Sequence, residues 1–382
     1  MTMGEPVRVL HVLGGLSLGG AESRIMDLYR CMDREKVQFD FLVHQSAAGE
    51  RIPEFYDEEV KELGGRIYLL PKFKGYNYFS YRKAVREFFA AHDYYRVVQG
   101  HMTSTAAIYL PEAAKAGIPV RAAHARSAGV DRGIKGVVTR LLRIPLLGQA
   151  DYCFACSGEA GEAVFGKKWK SSPKALVIPN AVDAGKFVYK KEVRDRIRKE
   201  WSLEDRFVIG HVGRCHYAKN HEFLLEVFAA VQNGLKEKGM EAALMLLGEG
   251  PGMDAAKKQA AQLGIGKSVL FMGNRKEVWD YYQAMDYFVF PSRFEGLPGT
   301  VVEAQAAGLK CLISDRITRE VGFTELVAYK NIDLPAKDWA EQILDGGSYE
   351  RENMCRIVAE AGFDVREQAK RMEHFYVSGK IG

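Results

Sequence analysis

The sequence predicts an α/β fold of two Rossmann-like, doubly wound domains, on three observations. A chain of 382 residues exceeds what one hydrophobic core usually holds, so two domains are expected. Its opening runs strand, glycine-rich loop, amphipathic helix, strand, which is one βαβ unit. From Phe207 the same alternation of short apolar runs and helical stretches begins again, as in a parallel sheet covered on both faces.

Val7–Leu13 is an apolar run suited to a buried strand, and Gly14–Gly20 a loop rich in glycine. Ile25, Leu28, Tyr29 and Met32 recur at i, i+3, i+4 and i+7, one face of a helix over Ala21–Met32. Phe39–His44, Arg66–Leu70, Val97–Gln99, Val120–His124 and Tyr152–Cys156 follow as strands. Ile178-Pro-Asn-Ala-Val-Asp183 reads as strand, turn and exit, because Pro179 cannot donate in a ladder and Asn180 favours a turn. These elements form a first domain over residues 1–183, and the boundary falls within 181–205, where Lys190–Trp201 is helix-prone. The second domain, residues 205–363, offers Phe207–Val212, Ala243–Leu247, Val269–Met272, Tyr287–Pro291 and Cys311–Ser314 as strands, with a helix over His221–Leu235. The tail, residues 364–382, reads as a helix placed to pack back on the first domain.

With 47% hydrophobic and 27% charged residues the composition is that of a soluble globular protein, not a disordered one. The start, Met1–Pro6, has no basic segment followed by an apolar stretch, and no apolar run is long enough to span a bilayer. A cytoplasmic protein is expected. Six cysteines do not make a disulfide framework in such a chain. Cys153 and Cys156 form a lone CxxC without the second pair a structural zinc needs, so they read as small residues of a buried strand. Net charge is +5, yet residues 61–174 carry 19 basic against 8 acidic residues. Such a sector suits a phosphorylated acceptor or an anionic membrane surface, with Arg132, Lys135, Arg140, Arg143 and the Lys167-Lys-Trp-Lys170 cluster as its basic and aromatic elements. A solvated face without a partner is the alternative. Without a recognised binding module the basic residues do not predict nucleic acid as a partner.

The chemistry concentrates in Val289-Phe-Pro-Ser-Arg-Phe-Glu-Gly-Leu-Pro-Gly-Thr-Val-Val-Glu303. A buried strand ends, a Gly/Pro loop follows, and a helix begins near Thr300. Ligands of open α/β sheets sit at such strand ends, and the first N–H groups of the helix lack partners and can hold phosphate oxygens. Glu295 and Glu303, separated by seven residues, repel phosphate and suit sugar or ribose hydroxyls instead. The earlier loop, Gly19-Gly20-Ala-Glu22, taken alone fits a dinucleotide fingerprint. A nicotinamide site, however, wants an acid at the end of the second strand, and that strand ends His44-Gln45-Ser46.

Phe294-Glu-Gly-Leu-Pro298 followed by Glu303-Ala-Gln-Ala-Ala-Gly308 resembles family 4 of the retaining glycosyltransferases, and the resemblance runs over nearly the whole chain. It is nearest to the bacterial transferases of capsular and exopolysaccharide synthesis. It implies the GT-B fold, two Rossmann-like domains facing an interdomain cleft, with the donor in the second domain and the acceptor in the first. Gly213-Arg-Cys-His-Tyr-Ala-Lys-Asn220 is similar to the family loop whose Arg and Lys neutralise the donor diphosphate, which assigns Arg214 and Lys219. Arg214 offers a two-pronged fork and Lys219 a compact charge. Cys215 stands where relatives often carry an aromatic residue, a change expected to alter packing more than charge.

The remaining roles follow from the same resemblance. Glu303 holds the ribose and Glu295 the transferred sugar, while Leu297, Pro298, Gly299 and Thr300 present the helix start to the diphosphate. Arg275 lies in the Gly273-Asn-Arg275 loop whose backbone meets the nucleobase, and Gly19 and Gly20 let the backbone approach the donor phosphate. His124, at the end of a first-domain strand, matches the active-site histidine; a neutral imidazole there accepts a proton or holds a hydroxyl. His101 and Arg126 are acceptor-binding candidates. The implied donor is a nucleotide diphosphate sugar, UDP-linked by preference, and the acceptor a saccharide or lipid-linked saccharide. No metal and no cofactor are expected, since two cations and a helix dipole meet the leaving charge and the chain has no Asp-x-Asp motif. A nucleotide-sugar epimerase of the same architecture and a non-catalytic scaffold of a polysaccharide-assembly complex are the rival readings.

Overall fold

The computed structural model describes residues 5–45, 52–127, 129, 134–347 and 349–381. These fold into two compact units, residues 1–180 with 365–382 and residues 181–364. The strands of the first unit are β1 (Val7–Val12), β2 (Val37–Gln45), β3 (Ile67–Pro71), β4 (Val97–Gly100), β5 (Val120–Ala125), β6 (Tyr152–Ala155) and β7 (Ala175–Val177). They form a parallel sheet in the order β3-β2-β1-β4-β5-β6-β7, so the chain reverses its direction of travel between β1 and β4. Val9, Leu10, Val97, Val98, Ala122 and Ala123 are completely buried, as expected of parallel strands covered on both faces.

Buried polar residues interrupt these central strands, among them Asp40, His11 and Gln99. Asp40 on β2 is completely buried and accepts from Arg8 (2.8 and 2.6 Å), the Tyr95 hydroxyl (2.8 Å) and the Arg66 N–H (2.8 Å). Its charge is thereby matched and its lone pairs filled, the condition for burying a carboxylate. The other two, His11 on β1 and Gln99 on β4, stand opposite each other in the ladder. The C-terminal helix, Val365–Ser378, packs on the helix Gly20–Cys31 and on β1 and β2, and its Tyr376 hydroxyl donates to Gln99 Oε1 at 2.8 Å.

The second unit contains β8 (Arg206–Val212), β9 (Glu241–Leu247), β10 (Val269–Gly273), β11 (Tyr287–Phe290), β12 (Lys310–Ser314) and β13 (Val327–Lys330). Their order, β10-β9-β8-β11-β12-β13, is the Rossmann order, with its reversal between β8 and β11. The segment left open by the sequence, residues 181–204, belongs to this unit. Its helix Lys191–Glu200 is anchored by Arg194 and Arg198, which both donate to the Asp286 carboxylate ahead of β11, and the Val208 N–H joins them at 2.7 Å. Cys215 is buried in the core cluster of this unit, so the change from an aromatic residue is one of packing.

Two strands escape the sequence reading. β7 is three residues long and ends just before Ile178, and β13 is an edge strand whose residues are all half-buried, without a clear apolar run. Two surface expectations also change. Trp169 is buried, its indole N–H donating to the Cys153 carbonyl at 2.8 Å, so the Lys167–Lys170 cluster presents no aromatic ring to solvent. Arg143 turns inward to Thr103 Oγ1 at 3.1 Å. Arg132 lies outside the described residues, as does the side chain of Lys135. Cys153 and Cys156 are buried, and burial pushes the Cys153 thiol up to about 12.

Candidate active site

In the second unit the carboxyl ends of β8 and β11 are neighbours at the point where the strand order reverses, which is where open α/β sheets bind ligands. Residues 213–220 follow β8 and residues 291–298 follow β11. The two loops are tied together: the Arg293 N–H donates to the Ala218 carbonyl at 2.7 Å, Arg293 Nη1 donates to the Tyr217 carbonyl at 2.8 Å, and the guanidinium lies over the Tyr217 ring. Beneath them Cys215 N–H donates to the Glu249 carbonyl. Gly248 makes room for this at φ +118°, because a Cβ there would collide with the Gly213 carbonyl.

Across this braced pair of loops Lys219 Nζ meets Glu295 Oε1 at 2.7 Å, each side chain only 17% exposed. The ammonium also lies 4.4 Å from the centre of the Phe290 ring. Gly213 keeps the approach open, since a Cβ there would stand 3.1 Å from Lys219 Cε. The structure thus brings Lys219 and Glu295 together, and leaves Arg214 exposed on the same loop.

Pro298 caps the helix Gly299–Ala306 and its carbonyl is taken by Val301 and Val302. The N–H groups of Gly299 and Thr300 precede the first in-helix acceptor. Beside them Thr300 Oγ1 and Ser292 Oγ are buried hydroxyl oxygens with no protein partner. Leu297 and Pro298 are packed into the core, so this stretch meets a ligand through its backbone. Glu303 is buried, and the completely buried Tyr282 donates its hydroxyl proton to Glu303 Oε2 at 2.8 Å. Tyr282 was not legible as a site residue. Arg275 is placed with its guanidinium against the rings of Trp201 and Tyr281, which leaves the backbone of its loop as the part available to a base.

In the first unit the histidines converge at the reversal between β1 and β4. His124 on β5 is completely buried, not open to solvent as a cleft-facing group would be. Gln99 Nε2 donates to its Nδ1 at 3.0 Å, and Tyr376 fixes Gln99 from the other end. The ring proton of neutral His124 therefore sits on Nε2, and the Ile178 backbone carbonyl also acts on the ring. Burial and the charge of Arg126 hold His124 well below the usual histidine range. Of the two roles read from the sequence, accepting a proton or holding a hydroxyl, this tautomer fits the second. His101 uses both ring nitrogens, accepting from Arg126 Nε at Nδ1 (3.3 Å) and donating from Nε2 to His11 Nδ1 (3.0 Å). It supports Arg126 and does not itself reach for an acceptor. Arg126 also donates from Nη1 to Asn180 Oδ1 at 2.9 Å, and burial pushes its guanidinium down to about 10.

Gly19 caps the helix Gly20–Cys31, and the Glu22 carboxylate folds back over that helix start, where a Cβ at position 19 would strike it. A phosphate reaching Gly19 and Gly20 has to displace this carboxylate. His11 and Gln99 were not singled out from the sequence, although polar residues inside fully buried parallel strands were the available signal.

The family model for "Glycosyl transferases group 1" matches residues 206–345, and that for "Glycosyl transferase 4-like domain" matches residues 19–181. Over 377 residues the chain is 34% identical to EpsF of Bacillus subtilis (strain 168), named as a glycosyltransferase, covering 97% of this chain and 96% of that one. It is 23% identical to the capsular polysaccharide biosynthesis glycosyltransferase CapH of Staphylococcus aureus, covering 97% and 99%. Among solved structures, sucrose-phosphate synthase of Thermosynechococcus elongatus superposes with a TM-score of 0.76 at 17% identity, covering 98% of this chain and 99% of that one. HepE of Anabaena, in complex with UDP and glucose, gives 0.71 at 14%, covering 98% of both chains. At these identities the two structures speak for the fold, which is GT-B.

Proposed function

Because the chain belongs to the family 4-like glycosyltransferases, as its 34% identity to EpsF over 97% of its length shows, with one family model on each half, we propose a specific transfer for it. A hexose or N-acetylhexosamine moves from a nucleotide diphosphate sugar, UDP-linked, to a saccharide or lipid-linked saccharide in cell-surface polysaccharide synthesis, with retention of configuration. The names of the relatives support this reading. An Escherichia coli relative, 32% identical over 145 residues, is a UDP-Gal:alpha-D-GlcNAc-diphosphoundecaprenol galactosyltransferase, and CapH acts in capsular polysaccharide biosynthesis.

The observation that carries the proposal is the Lys219–Glu295 pair beside the start of the helix Gly299–Ala306. When the diphosphate arrives, Lys219 leaves Glu295 for it, and Arg214 and the N–H groups of Gly299 and Thr300 share the load. Glu295, released, accepts from hydroxyls of the sugar, and Glu303, held by Tyr282, accepts from the ribose. The acceptor oxygen then bonds to the anomeric carbon on the face from which the diphosphate departs, and its proton leaves with the diphosphate. Charge building on that leaving group meets cations and amides already in place, so no metal and no further cofactor enter the reaction. His124, with its proton on Nε2, offers a hydrogen bond to a substrate hydroxyl.

A panel of nucleotide sugars tests the reading by thermal stabilisation and product analysis. A raised melting temperature with one UDP-sugar and transfer with retained configuration are expected. Failure of every nucleotide sugar to bind sinks it, and an epimerised donor formed without acceptor converts it to an epimerase.

A second surface supports peripheral attachment to the inner face of an anionic membrane, with the protein otherwise cytoplasmic. On and just after the helix Ile134–Arg143, Val137, Val138, Leu141 and Ile144 are exposed beside Arg140, and Tyr76 and Phe79 are exposed at the start of the helix Tyr78–Ala91. Both helices pack on the helix Ala106–Lys115. Apolar side chains with flanking cations suit the headgroup boundary. No described helix is long and apolar enough to cross a membrane. Equal flotation with neutral and anionic vesicles counts against attachment.

A further inference from the structure

Several arginines of the first unit end on carboxylates. Arg8 reaches Asp40, Arg30 reaches Asp27 and Glu59, Arg82 reaches Glu112, and Arg121 reaches Asp151. Two do not. Arg126 donates to His101 Nδ1 and Asn180 Oδ1, and Arg143 donates to Thr103 Oγ1. All three hydrogen-bond acceptors are neutral; the Glu22 carboxylate acts on Arg126 through space, by less than burial does. His101 and Thr103 belong to the same short loop at the carboxyl end of β4, so both guanidinium groups are fastened to one place, the reversal point of this sheet. Each guanidinium is drawn out of water, and burial lowers the affinity of each for its proton.

A guanidinium removed from water and given only neutral acceptors keeps much of its desolvation cost. An anion placed between two such groups removes that cost, and the planar forks match phosphate oxygens. The support is of a kind that lasts through neutral pH. His101 must keep its Nδ1 lone pair to hold Arg126, and the sequence of donors from Arg126 to His101 to His11 leaves one proton on each ring. Burial and Arg126 itself keep both imidazoles neutral.

We propose that Arg126 and Arg143, fastened to the loop after β4 by His101 and Thr103, form a subsite for a phosphate or diphosphate group carried by the acceptor. The inference rests on the acceptor role given to the first unit under the proposed function, and it narrows that role: of a free saccharide and a lipid-linked saccharide, only the second brings the phosphoryl group. The same chemistry occurs in the donor, so the test occupies the donor side first.

Inorganic pyrophosphate is titrated by calorimetry into the full chain saturated with UDP, and into Arg126→Gln and Arg143→Gln prepared in the same way, with thermal midpoints and UDP binding as fold controls. Binding to the parent protein, weakened about 10- to 100-fold in each variant, is expected from the loss of a charge-assisted contact. No binding to the UDP-loaded parent, or binding that survives in either variant, overturns the paired subsite. Transfer assays add a second readout. The KM for a saccharide diphosphate acceptor should rise in both variants far more than the KM for the matching free saccharide, and an equal rise for both acceptors overturns the assignment. If UDP itself does not bind, the donor reading fails separately, and pyrophosphate titrated into the free chain and its variants still reads the arginine pair.

Discussion

The two units handle charge in opposite ways. In the second, Lys219 and Glu295 stand paired at 2.7 Å, half-buried, between two loops braced by Arg293. In the first, Arg126 and Arg143 are pinned by His101, Asn180 and Thr103, none of them charged. A paired site rests in a low-energy state and must exchange partners to bind an anion. A site built on neutral acceptors holds its cations unsatisfied and binds without exchange. The difference teaches that the family pattern, which marks the first kind of site by its residues, is silent about the second, which exists only through contacts.

Removing the pair should have the largest effect. Lys219→Ala deprives the departing diphosphate of its compact charge and leaves Glu295 in a half-buried place without its partner. Loss of one preorganised charge of this kind costs about 100- to 1,000-fold in turnover. Glu295→Ala should be as severe, because the hydroxyl acceptor disappears while Lys219 stays bound to no carboxylate. Both variants should melt near the parent, since the loops are held by Arg293. Activity within a few-fold of the parent in either variant would end the claim that this pair is the heart of the donor site.

Acid should next separate the units. His11, His101 and His124 of the first unit and His211 and His221 of the second are all kept below the usual histidine range by burial, His11 to about 3 and His221 to about 4. The unfolded chain takes up protons near pH 6.5 while these folded imidazoles do not. Stability contributed in this way is full above about pH 6.5 and is lost as pH falls toward the folded values, about 2 kcal/mol by pH 5 for His11 and for His221. His44 is lowered by burial as well, so with four such rings against two the first unit should open first, read by hydrogen exchange at pH 7 and pH 5. Identical protection of both units at the two pH values would remove the contrast drawn from their histidines.

Most of the fold was legible because parallel strands buried on both faces leave continuous apolar runs, as in Ala242–Leu247 and Tyr287–Phe290. The pairing of Lys219 with Glu295 was within reach because the candidate residues cluster within loops, so that Lys219, Glu295 and the start at Gly299 lie in two short stretches. What stayed hidden depends on distant partners. Tyr376 meets Gln99 across 277 positions and Arg143 meets Thr103 across 40, and no local period encodes such pairs. The tautomer of His124 was hidden for the same reason, since it is set by Gln99 and not by its own neighbours in sequence.

Tyr282 gives the finest test of the comparison, because it brings into the second unit the device that dominates the first. Its buried hydroxyl donates to Glu303 and also lies 3.1 Å from the Thr300 carbonyl, a neutral group orienting a charged one. Tyr282→Phe keeps the ring and deletes that donor, removing one hydrogen bond from the Glu303 carboxylate. One hydrogen bond to a charged group is worth about 1.5–3 kcal/mol, but a carboxylate facing substrate recovers part of this from the ribose. The expected result is a rise of about tenfold in donor KM with little change in turnover, because the bond orients a binding group and not the reacting atoms. A fall in kcat at unchanged KM would move Tyr282 from binding to the transition state, and with it the line drawn between a unit that works by exchanging charges and one that works by holding them still.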